Sequence, residues 1–194
     1  MLYHNKSYVI VKGMARTGKT RTDWVKAGQA LLIEGGIDAV KLHRLTCQLD
    51  VSTGSFYHHF ESLDEYLTAL AEFYGSEQAQ LLFNEARAQA GEDPELLLKE
   101  ATVLFGRGSM RQLNIAMRAW AHGDDRARAA VRRYDALLSD YLDQIFRSLG
   151  FDELAAKSRT LIMMGLASLD FDLNAMDPSF RKRWGYIRDN LILR

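Results

Sequence analysis

V-K-L-H-R-L-T-C-Q-L-D-V-S-T-G-S-F-Y-H-H-F, residues 40–60, is the stretch whose reading decides the fold. Leu42, Leu45 and Leu49 recur at helical intervals and make one apolar face. Asp50 breaks the pattern. It is one of the few non-glycine residue types that tolerates a left-handed turn. Val51 returns to the core, and Ser52 is placed to cap a second short helix. That helix turns Phe56 and Phe60 inward and leaves Thr53, Ser55, His58 and His59 outside, with Tyr57 alongside. Two short helices around a tight turn, the second polar outside, follow the helix-turn-helix plan.

Working outward, the run D-V-S-T-G-S-F-Y-H-H-F-E-S-L-D-E-Y-L resembles the recognition segment of the tetracycline-repressor (TetR-type) family of bacterial transcription regulators. That family reads approximately G-V-S-x-x-x-L-Y-x-H-F-x-(S/N)-K-x-x-L. Val51, Ser52, Tyr57, His59, Phe60, Ser62 and Leu67 match it. The resemblance runs from about Trp24 to Leu70. Three positions depart from it. Asp50 stands for the usual Gly, Leu63 for a Lys that often meets a phosphate, and Lys41–Leu42 for a Thr-type cap.

The resemblance implies an all-α protein. An N-terminal three-helix helix-turn-helix head would be joined by a linker helix to a helical ligand-binding and dimerisation body. It implies a cytoplasmic transcription regulator, a ligand-released repressor rather than an enzyme, needing no cofactor. Its partners would be double-stranded DNA with a palindromic operator, a small apolar or amphipathic effector, and a second copy bound through the last two helices.

Composition agrees. The chain has 194 residues, 47% hydrophobic, with only two prolines, which favours helices. Its net charge is zero, yet residues 1–60 carry +4 and residues 61–194 carry −4. A basic front and an acidic rear suit a DNA-binding head on a body facing something else. The lone Cys47 permits no internal disulfide and points to a reducing compartment. No apolar run approaches the ~20 residues that span a bilayer.

Residues 1–21 read as a basic arm, with residues 1–13 an upstream extension if Met14 is the natural start. Arg16, Lys19 and Arg21 would reach phosphates or the minor groove. A rival is written in the same segment. Gly13–Thr20 fits the phosphate-loop pattern G-x-x-x-x-G-K-[ST], and Ser7–Val11 before it could be a strand. No second strand with a metal-binding carboxylate follows, and no strand–helix alternation. A further rival is a helical interaction protein that has lost DNA binding.

Residues 22–67 form the expected head and 68–194 the body. Thr22 or Asp23 should cap the first helix, which Gly35–Gly36 ends. Ser62 should cap the linker helix, Glu65 completing a capping box. Gly75–Ser76 marks a break. Later helices are expected over residues 77–89, 95–105, 110–122 and 125–149, the last capped by Asp124. Two more should run from Asp152 to about Leu173 and from Ser179 towards Leu193.

The expected DNA-binding residues are His43, Arg44, Thr53, Gly54, Ser55, Tyr57, His58 and His59. Their hydroxyls and imidazoles suit base edges and phosphates, and Gly54 permits close approach. Without Arg, Asn or Gln on this helix, part of the readout falls to DNA shape. Adjacent His58 and His59 point about 100° apart on a helix, a poor grip for one metal ion. For the effector, Phe105, Met117, Trp120, Tyr134, Met163, Met164 and Phe171 are the candidate lining, since methionine and aromatic side chains suit an adaptable cavity.

Overall fold

The computed structural model describes residues 18–106 and 108–167, together with Lys182, Gly185, Tyr186 and Asp189. Among the described residues there are helices and no strand. The expected last helix, apart from those four positions, lies outside them, as do Arg16 and Phe171.

The head begins with α1 (Arg21–Gly35), one residue earlier than the first of the two expected caps. The cap is Thr20. Its hydroxyl accepts from the Asp23 backbone N–H, and the Asp23 carboxylate accepts from the Thr20 N–H. This reciprocal box satisfies two N–H groups, where Thr22 or Asp23 alone would satisfy one. A 3-10 turn (Ile37–Ala39) leads into α2 (Leu42–Leu49) and α3 (Thr53–Tyr57). Asp50 takes the expected left-handed conformation at φ 53° and ψ 52°. Ser52 stands at the N-cap of α3, but its side chain makes no cap hydrogen bond.

The linker is α4 (Leu63–Gly75). Ser62 caps it by accepting from the Glu65 N–H, as expected. The return bond differs: the Glu65 carboxylate accepts from the Glu61 N–H at 2.6 Å. The body follows as α5 (Glu77–Ala90), α6 (Pro94–Gly106), α7 (Gly108–Ala121), α8 (Asp125–Ser148) and α9 (Glu153–Ala167). The 24-residue α8 is the axis, with α4, α5, α6, α7 and α9 all packing on it. Ala127, Val131, Tyr134, Leu138, Tyr141, Leu142, Ile145 and Phe146, which recur at helical spacing along one face, are all buried. Tyr134 stacks on Tyr74 of α4, and Tyr141 on Phe83 of α5. At Gly75 the α4 and α8 backbones nearly touch: a Cβ there would lie 2.9 Å from the Ala130 Cα. The glycine that ends α4 is thus also the one that admits α8.

Asp124 caps α8, accepting from the backbone N–H groups of Arg126 and Ala127. The Arg126 guanidinium first, then those N–H groups, hold its carboxyl below the usual carboxylate range. A depressed folded-state value stabilises above the unfolded value of about 3.9 and is lost as pH falls through the folded one. At neutral pH, Asp124→Asn should therefore melt about 2–4 °C below the wild type. The gap should close as pH falls through the folded-state value. Melting curves across pH read this directly, and a gap that persists at acid pH would contradict it.

Candidate nucleic-acid interface

The outward face of α3 is presented by a rigid aromatic floor. Phe56 is 0% exposed, with ring centroids 5.4 Å from Trp24, 5.3 Å from Phe60 and 5.7 Å from Tyr66. The helical turn continues past Tyr57, because the His58 N–H donates to Gly54 and the Phe60 N–H to Phe56. With Phe56 and Phe60 fixed beneath, Thr53, Gly54 and His58 are left exposed, and Tyr57 is 57% exposed. Ser55 and His59 are half-buried at the edges. The His58 and His59 rings meet edge-on at 5.2 Å.

Across the turn, α2 supplies exposed His43. Between the two helices lies an open groove of about 470 Å³, lined by His43, Thr46, Cys47, Asp50, Val51 and Ser52. Arg44 is half-buried and ion-paired with Glu34 at 2.8 Å, so a phosphate would have to draw it away. Seven of the eight expected residues thus belong to α3, its continuation or the exposed side of α2, and Arg44 stands beside them already engaged.

Spacing did not disclose what clamps α3. Arg21 opens α1, and its guanidinium donates to the His59 carbonyl at 2.7 Å and to the Glu65 carboxylate at 2.9 Å. It also lies 4.3 Å over the Phe60 ring. The Glu61 N–H first, and then Arg21, hold the Glu65 carboxyl below its usual range. One cation thereby ties α1, the end of the recognition element and the first turn of α4 together. Arg21 is thus engaged inside the head, where an arm residue would reach for DNA. Tyr66 adds a second tie: its hydroxyl donates to the Trp24 carbonyl at 2.8 Å, with Gly28 leaving it room.

The phosphate-loop pattern ends inside this arrangement. The Thr20 hydroxyl, which would hold magnesium, donates to Asp23 and caps α1. Gly13 to Thr17 lie outside the described residues.

Head and body are joined at two polar contacts. Gln29 of α1 donates to Gln78 of α5, which donates to the Met110 sulfur of α7. Arg126 of α8 donates to the Asp64 carbonyl at 3.0 Å, the Asp64 carboxylate at 2.7 Å and the Thr68 hydroxyl at 3.3 Å, all on α4. The same guanidinium is held from behind by Asp124. This clasp connects residues 62 apart in the chain, so helical periodicity could not announce it.

Of the proposed effector lining, Met117, Trp120, Tyr134 and Met163 are buried in the hydrophobic core, and Phe105 and Met164 pack against it. Met164 lines a cavity between α8 and α9. No three His, Cys, Asp or Glu side chains among the described residues come together as a metal site.

Residues 25–70 match the family model for bacterial regulatory proteins of the tetR family. No curated protein matches the chain. Among solved structures, a TetR transcriptional regulator from Legionella pneumophila superposes with a TM-score of 0.73 at 13% identity, over 91% of this chain and 99% of that one. A regulator assigned to the TetR family, from Rhodococcus sp., gives 0.65 at 15% identity, over 90% and 98%. The multidrug binding protein EbrR, complexed with malachite green, gives 0.52 at 18% identity, over 76% and 84%. These likenesses agree on the all-α fold. The match to the tetR family model is confined to residues 25–70, which hold α2, α3 and most of α1 and α4.

Proposed function

We propose that this chain is a TetR-family regulator, a dimeric DNA-binding repressor released from a palindromic operator by a small apolar or amphipathic effector. The observation that carries the proposal is the exposed polar face of α3 held on a buried phenylalanine floor. Thr53, Gly54 and Ser55 would meet base edges, while Tyr57, His58, His59 and His43 would meet phosphates and fix the register. Arg44 would join them on leaving Glu34. Each recognition element would enter a major groove, the two about one helical turn apart.

The second copy would pack on the last two helices. Leu154 and Leu161 of α9 are 78% and 73% exposed, and Ile162 is exposed beside them. That is an apolar stripe a partner could cover. The head would comprise residues 22–67 and the body 68–194, with residues 1–21 a basic arm. No described helix is long and apolar enough to cross a membrane, and a cytoplasmic regulator is the reading adopted.

Release would work through α4. Its first turn is clasped to α8 by Arg126 and its last turn lies against Ala130. An effector among Phe105, Met117, Trp120, Tyr134, Met163, Met164 and Phe171 would have to part side chains of which the first six now fill or flank the core. It would thereby tilt α4 and change the spacing of the two heads. Effector shifts the population only as far as it prefers the splayed state, so a hundredfold preference corresponds to about 2.7 kcal/mol. Ligands found by thermal shift should weaken operator binding by tenfold or more at saturation, read by fluorescence anisotropy. Saturating ligand that leaves the affinity unchanged would rule out the lever.

A further inference from the structure

The cavity between α8 and α9 has a chemistry that the apolar core does not. It measures about 220 Å³ and is lined by Ser139, Asp140 and Asp143 of α8 and Lys157, Thr160, Leu161 and Met164 of α9. Residues 139, 140 and 143 share one face of α8, and 157, 160, 161 and 164 share one face of α9. The two faces are turned towards each other, and polar side chains meet between them.

Two oxygens in this cavity have no partner. Thr160 is 3% exposed, and its hydroxyl makes no hydrogen bond. Asp143 accepts from the Arg147 guanidinium with Oδ2 at 2.7 Å, while Oδ1 is buried and unpaired. Buried polar atoms are almost always satisfied, so two unsatisfied oxygens on residues lining one cavity mark a place for a donor. Two carboxylates, Asp140 and Asp143, line the cavity; Arg147 holds the far oxygen of Asp143, and the one lining cation, Lys157, is engaged by Glu153 at 2.6 Å. Leu161 and Met164 add an apolar wall.

We propose that this cavity binds a small organic cation: a protonated amine on a short apolar body. The ammonium would donate to Asp143 Oδ1 and the Thr160 hydroxyl, with Asp140 adding charge at the mouth. The carbon chain would lie on Leu161 and Met164. The volume is below the roughly 300–1,000 Å³ of drug-sized pockets, which selects alkyl- or arylalkylammonium ions over bulky dyes. A carboxylate-bearing ligand is disfavoured by the two aspartates. The site does not rest on the effector reading above, since only Met164 is common to both.

The test is isothermal titration of the full chain, without DNA. The probes are butylammonium and phenethylammonium, each beside its neutral counterpart, 1-butanol and 2-phenylethanol. At least one ammonium should bind saturably, and the alcohols should not. Asp143→Asn should weaken that binding about tenfold or more. Thr160→Val, of nearly the same shape, should weaken it a few-fold, with both variants melting within a few degrees of the wild type. If either variant fails to fold, Asp140→Asn at the exposed mouth still has to reduce the affinity. The proposal is overturned if neither ammonium binds below about 10 mM. It is equally overturned if the alcohols bind as tightly, or if Asp143→Asn binds like the wild type. Variants that change the self-association of the chain while no amine binds would show the cavity filled by a second copy, which also overturns it. None of these outcomes touches the assignment of the α3 surface.

Discussion

Phe56→Ala is expected to cost about 3–5 kcal/mol, because a large ring leaves a fully buried site whose neighbours are themselves rings. Phe56 packs against Trp24, Tyr57, Phe60 and Tyr66 with centroid distances of 5.3–5.7 Å. Those four rings come from α1, α3 with its continuation, and α4, so the cavity would open at the junction of the head's helices. For a chain of this length the loss corresponds to a fall in melting temperature of roughly 6–20 °C. The damage should be graded by place. Helix α3 is five residues long and has no side-chain cap bond, so it has little stability apart from this floor. Amide exchange should therefore speed up in residues 40–60 well before it does in α8, whose own stripe is untouched. Thermal denaturation followed by circular dichroism, with exchange mapped by mass spectrometry, checks both statements. A loss below about 1 kcal/mol would mean that the floor is not what holds α3.

The parts legible in the sequence are those set by local chemistry. Asp50 announced a left-handed turn because few other residues tolerate one, and it has φ 53°. The eight apolar positions of α8 were readable because a helix buried along one face repeats its contacts every three or four residues. Asp124 and Ser62 were readable as caps because an oxygen ahead of an apolar-periodic run has N–H groups waiting for it. The misreadings are near misses of the same chemistry. Thr20, Thr22 and Asp23 compete for one cap, and Thr20 prevails because it alone forms a reciprocal pair with Asp23. Glu65 reaches the Glu61 N–H instead of that of Ser62, since Arg21 holds its other oxygen.

What could not be read is what depends on which face meets which. Periodicity says that Met117, Trp120 and Tyr134 point inward, but a filled core and a lined pocket share that pattern. Arg21 looks like any basic residue of an arm until α3 and α4 are brought beside it. Arg126, Asp64 and Thr68 form a clasp only because α4 crosses the first turn of α8. Gly75 has the same origin, reading as a helix break when its smallness also serves the approach of Ala130. The α8–α9 cavity had a faint signal in Asp140, Asp143 and Thr160, polar residues at helical spacing beside an apolar stripe.

The second large effect concerns the recognition surface itself. Thr53 is exposed at the start of α3 and Tyr57 is 57% exposed at its end, so truncating both strips the outer face and leaves the buried Trp24, Phe60 and Tyr66 around Phe56 in place. Each lost hydrogen bond to DNA is worth about 1 kcal/mol. Two contacts in each of two protomers come to about 4 kcal/mol, or roughly a thousandfold in operator affinity. Tyr57 contacts, if made to phosphate, should also carry part of the salt dependence. The melting temperature should stay within a few degrees, because neither side chain is buried and only the outer edge contact of Tyr57 with Phe56 is lost.

The measurement that bears most directly on this account is selection of binding sites from random duplexes by the full chain, followed by titration of the selected duplex with the wild type and with Thr53→Ala/Tyr57→Ala. The account predicts an enriched palindrome with half-site centres about 34 Å apart, or one helical turn, and a roughly thousandfold loss in the double variant at unchanged fold. Enrichment of no palindrome, or a double variant that binds the selected duplex as the wild type does, would contradict it.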